Sequence, residues 1–169
     1  MGKAWDDRIG AAVATDVVRH LKGEEHLADV VAVGSVQEET GLRGARTAAH
    51  MVDADIAIAL DVTLASDVPD SKYGAPLASG VTLGFMDGSV IANRELMYYM
   101  EDLCKEMGIS FVYDFMLVGG TDSGEIHKSK NGVVNMTMSI PARSIHSQRA
   151  IIHRKDVADT VKVLTEFCK

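Results

Sequence analysis

The chain has 169 residues, 47% of them apolar and 24% charged, with a formal net charge of -7. That length makes one domain, 1–169, with a core of its own. The acidic balance argues against nucleic acid as a partner, because phosphate binding wants a basic face. No stretch approaches the roughly 20 apolar residues that span a bilayer, so no membrane partner is expected.

Asp6-Asp7 stand near the start and, taken alone, read as an N-cap and a charged first turn. Ile9, Ala12, Val13, Val17 and Leu21 recur at helical spacing and predict a helix over Arg8–Leu21, stopped by Gly23. His26–Val36 is apolar and β-branched and predicts a buried strand. Leu42–Met51 predicts an alanine-rich helix, and Ala54–Leu60 a second buried strand ending at Asp61. Leu64–Ser79 holds Pro69 and Pro76 among Asp, Ser and Gly and reads as a surface loop. Val81–Met86 and Ser89–Ala92 predict short strands around an Asp87-Gly88 turn. Asn93 predicts the N-cap of a helix running to Met107 and closed by Gly108.

Ile109–Val118 predicts another strand, ended by Gly119-Gly120. A short helix is expected over Thr121–Lys128, capped by Thr121 or Asp122. Val133–Ile140 predicts a strand stopped by Pro141, and Asp156 the cap of a final amphipathic helix. Helix and strand alternate, which predicts an α/β fold with a mostly parallel sheet. Ligands bind such sheets beyond the carboxyl ends of the strands. Cys104 and Cys168 have no metal or redox spacing and read as reduced thiols of a cytoplasmic protein.

Acids at strand ends are costly unless something pairs with them. Glu38-Glu39 follow the run Val30–Val36, Asp61 follows Ile56–Leu60, and His146 follows a third apolar run. Singly, each has an ordinary reading as a helix-start acid, a turn cap or a structural histidine. Together they offer oxygen and imidazole ligands suited to zinc, cobalt or manganese. One carboxylate can bridge two ions about 3.5–4 Å apart, and an unligated acid beside them can act as general base.

Five segments, in order, resemble the motifs of the glutamyl aminopeptidase (TET-type) family. They are Asp6-Asp7-Arg8-Ile9-Gly10, Gln37–Ala45, Ala59–Thr63, Gly119-Gly120-Thr121-Asp122 and Ser139–Ser147. The resemblance implies a three-layer α/β fold of the zinc-exopeptidase kind, a sheet of mixed direction and a homo-oligomer. It implies an enzyme that releases N-terminal residues from short peptides with two divalent metal ions, zinc or cobalt. Asp6 would bridge the metals and Asp7 would brace it. Glu38 would be general base and acid, taking a proton from the attacking water and passing it to the leaving amine. Glu39 and His146 would bind one metal and Asp61 the other. Gly120, Thr121 and Asp122 would lie near the substrate.

Family members are about twice as long, and the resemblance places this chain in the C-terminal part of their catalytic domain. A segment supplying one more histidine ligand and an inserted dimerisation domain are therefore expected to be missing. The Asp6–Asp61 site would lack that histidine, and the sheet would expose apolar edges. Ser144 stands where the family has Tyr, and Gly84–Gly88 replaces a Gly-x-Gly-Pro segment. The alternatives to a peptidase are a non-catalytic remnant binding at most one metal, and a glycosidase using two carboxylates.

Overall fold

The computed structural model describes residues 1–169. Four strands run in the order β1 (Ile56–Leu64), β4 (Val134–Arg143), β2 (Val81–Met86), β3 (Phe111–Phe115), and β5 (Ile151–Ile152) adds to β4. The sheet is mixed: β1 lies parallel to β4 and β2 parallel to β3, whereas β4 runs antiparallel to both β2 and β5.

Period-two alternation gives the sheet two unlike faces. Met136, Met138, Val81 and Leu83 point into the main core with Val13, Val17 and Leu21 of α1 (Trp5–Leu21). Met97 and Met100 of α3 (Arg94–Glu106) and Val163 and Leu164 of α5 (Arg154–Phe167) complete that layer. The opposite face carries buried Thr63, Thr82, Asn135, Thr137 and Ser139. It packs under α4 (Ser123–Ile126), which in turn meets α2 (Arg43–Val52). Asn135 Nδ2 donates to the Ser123 carbonyl at 2.8 Å, and Thr137 Oγ1 meets Ser123 Oγ at 2.9 Å. Ser123 of α4 thus satisfies Asn135 and Thr137, Asp114 takes the Thr63 hydroxyl, and Thr82 Oγ1 is buried without a partner.

Asn93 caps α3 as expected, its Oδ1 accepting the Leu96 amide at 3.0 Å. Five other expectations fail for identifiable reasons. His26–Val36 is not a strand: Asp29–Ser35 carries no ladder, and Val31, Val33 and Val36 are exposed. A β-branched run becomes a strand only when a neighbouring edge satisfies its backbone, and none lies beside it here. Ser89–Ala92 is likewise no strand. The Asp87 carboxylate takes the amides of Ser89 and Val90 and the Ser89 hydroxyl, making a tight side-chain-closed turn.

Pro141 does not end β4, because it sits between the last β2 pairing at Ser139 and the first β5 pairing at Ala142. No partner needs its missing N–H there. Neither Thr121 nor Asp122 caps α4 with a side chain, since Thr121 bonds to Asp87 and Asp122 to Ser35. Asp156 is not the cap of α5. His153 accepts the Lys155 amide, and fully buried Asp156 takes the amides of Ala78 and Gly80, fastening the 64–79 loop.

Candidate metal centre

The regular part of α1 begins after Asp7, because Asp6 and Asp7 have non-helical backbone angles. Asp7 is nonetheless a cap: its Oδ1 accepts the Gly10 amide at 2.9 Å. Ile9 packs with Val62, Ile140 and Ala142 in a second, smaller core, which docks this helix start against the ends of β1 and β4. His146 lies in the turn after β4, with φ of 56°, a left-handed value sparsely populated outside glycine.

Glu38 and Glu39 sit in a turn closed by its own backbone. The Glu38 carbonyl accepts the Leu42 amide at 2.8 Å and the Gly41 amide at 3.0 Å, and the Val36 carbonyl accepts the Gly44 amide at 2.8 Å. Gly44 has to be glycine, because a β-carbon there would stand 2.3 Å from the Val36 nitrogen.

These segments bring together three of the four proposed ligands. His146 Nε2 lies 3.0 Å from Asp6 Oδ2 and 3.4 Å from Glu39 Oε2. The three donor atoms are all within 4.8 Å of one another. Asp61 lies outside that group, within β1, where its Oδ1 accepts the Val62 amide at 2.7 Å. It still feels the neighbouring acids. Burial first, then the carboxylates of Asp7, Glu38 and Asp6, push Asp61 up to about 9 against the pull of the Val62 amide.

Burial followed by the charges of Asp122, Glu39 and Asp6 pushes Glu38 up to about 7, with His146 pulling the other way. Asp7 is also pushed up to about 7, mainly by burial, despite the Gly10 amide. Asp6 is raised by burial and by Glu39. Two carboxylates and an imidazole at this spacing fit zinc or cobalt, and burial with the charges of neighbouring acids raises Asp6 and Glu38.

Gly120, Thr121 and Asp122 have separate surroundings. Thr121 is buried, with its amide and hydroxyl on Asp87 Oδ2 and its hydroxyl also 2.8 Å from Thr137 Oγ1. Gly120 packs on Ser89. Asp122 accepts the Ser35 hydroxyl through Oδ2, while its Oδ1 is buried without a partner. Sequence reasoning took Asp87 only as a turn residue and did not single out Ser35. Their contacts span 87 and 34 residues, and no local spacing signals such pairs.

The family described as M42 glutamyl aminopeptidase matches residues 1–163. A lysyl aminopeptidase of Pyrococcus furiosus is 36% identical over 160 residues, 94% of this chain and 45% of that protein. The crystal structure of a TET aminopeptidase from a marine sediment Thaumarchaeota archaeon superposes with a TM-score of 0.96 at 38% identity. It covers 99% of this chain and 48% of that one. The TET1 peptidase of Pyrococcus horikoshii, which can assemble into a tetrahedron or a large octahedral shell, gives a TM-score of 0.85 at 26% identity. That match covers 99% of this chain and 49% of the peptidase. The chain thus spans about half the length of the proteins it matches.

Proposed function

The chain belongs to the M42 glutamyl aminopeptidase family, and from that premise we propose that it serves in removing N-terminal residues from short peptides. The supporting observation is the Asp6, Glu39, His146 group with Glu38 beside it. Those three residues would hold a divalent ion, and Asp61 with Asp6 would contribute to a second. Bound there, zinc or cobalt would polarise the scissile carbonyl and acidify water.

Glu38, held near neutrality by its surroundings, accepts a proton from the attacking water and returns it to the leaving amine. Asp7 caps α1 and so holds Asp6 at the mouth of the site. Gly120, Thr121 and Asp122 would border the peptide, and Asp122 also adds its charge to those raising Glu38. A homo-oligomer in the cytoplasm is the proposed working form. No helix is long and apolar enough to cross a membrane.

The second reading is a chain that binds one metal without turnover by itself. It is favoured by the single three-donor group, which Asp61 does not join. Protein prepared without chelator, assayed for metal content and for aminoacyl-nitroanilide hydrolysis with added cobalt, separates the two. Metal-dependent turnover supports the peptidase; bound metal without turnover supports the second reading. Activity lost in EDTA and restored by cobalt also excludes a glycosidase working with two carboxylates.

A further inference from the structure

The Asp29–Ser35 run delivers the chain to Glu38 and Glu39, yet it has no strand partner. Between Asp29 and Ser35 one hydrogen bond reaches another part of the chain: Ser35 Oγ donates to Asp122 Oδ2. Asp122 is in turn carried on a rigid support. Thr121 beside it is fixed by Asp87 and by Thr137 of β4, and the Asp122 carbonyl accepts the Ile126 amide at 3.0 Å. The turn after Ser35 also leans on α4, where a β-carbon at Gly124 would stand 3.4 Å from Leu42 Cδ1.

We propose that Asp122 is a positioning residue, which through Ser35 anchors the unladdered run and so fixes Glu38 and Glu39 against Asp6 and His146. The proposal rests on the metal-centre reading for its consequence, but the tether itself does not. An exposed extended run without ladder bonds samples many conformations, and each one not matching the site dilutes metal affinity. A hydrogen bond to a carboxylate on a fixed support narrows that ensemble.

The test combines hydrogen exchange with cobalt titration, followed by the visible absorption of bound cobalt. It uses the full chain, Ser35→Ala, Asp122→Ala, the double variant and Asp122→Asn, which keeps a carbonyl acceptor for Ser35. The expected result is faster exchange of the Gly41, Leu42 and Gly44 amides in both alanine variants, with α3 and α5 unchanged. Cobalt affinity should drop about tenfold in each, with no further loss in the double variant, because the two residues act as one contact. Asp122→Asn should recover most of the affinity. Unchanged exchange in the turn, or losses that multiply in the double variant, would overturn the tether. A wild-type chain that binds no cobalt would instead overturn the metal-centre reading, and the exchange data would still decide the tether.

Discussion

Asp61 shows what it costs to bury an acid among other acids. Its ordinary value is 3.8, and burial with neighbouring acids carries it to about 9 in the folded chain. The folded state therefore holds more protons than the unfolded state across that window, and stability falls as pH rises through it. The metal-free chain should melt roughly 4 °C or more lower at pH 8.5 than at pH 5.5, equivalent to about 1–2 kcal/mol at this size. Asp61→Asn should reduce that dependence, leaving the part that Asp7 and Glu38, both raised to about 7, contribute in the same window; a melting temperature that rises with pH would contradict the assignment. Ligand variants give a second residue-level expectation. His146→Ala removes one of three clustered donors, whereas Asp61 lies outside the group. His146→Ala should weaken metal binding by at least tenfold more than Asp61→Ala, read by titration calorimetry, and equal losses would argue against the three-residue site. The acids were legible in the sequence because carboxylates beside apolar runs stand out, although the expected strand ends were not there: Asp61 lies inside β1, and Glu38 and Glu39 follow a run that is no strand. The Ser35–Asp122 contact was not, since a hydroxyl at the end of such a run carries no mark of a partner 87 residues away.

At the scale of elements, the turn holding Glu38 and Glu39 depends on a close backbone approach. Gly44→Ala would set a methyl 2.3 Å from the Val36 nitrogen, and backbone cannot swing aside as a side chain can. The substitution should cost about 1–3 kcal/mol in denaturant unfolding and lower metal affinity at the same time; a neutral effect on both would show that the turn is not packed this way. Apolar spacing recovered α1 and α5, which each bury a stripe in the main core, whereas the Asn93 cap marked α3 and alanine content marked α2, which meets α4 rather than the sheet. Strand existence was harder to read. The Asp29–Val36 run has strand composition and no neighbour, and β4 continues through Pro141 at a point where no donor is needed. Caps failed where long-range contacts claimed the side chain, as with Asp122 on Ser35 and Asp156 on the Ala78 and Gly80 amides.

Across the whole molecule, one sheet face is an apolar core against three long helices and the other is a buried polar layer under α4. The first supplies stability. The second holds Thr121 through Thr137 and Asp87, and beside it Asp122 accepts the Ser35 hydroxyl from the run that leads to Glu38 and Glu39. Val31, Val33 and Val36 of that run are exposed, so the apolar core does not hold them. The central claim, that Asp6, Glu39 and His146 hold metal while Glu38 moves the proton, is tested most directly by Glu38→Gln. Metal content and cobalt-supported aminoacyl-nitroanilide hydrolysis should be measured on this variant beside the unaltered chain. The expected result is unchanged metal stoichiometry with kcat reduced on the order of a thousandfold or more. Loss of the metal in Glu38→Gln, or turnover equal to that of the unaltered chain, would contradict the division of roles between Glu38 and Glu39.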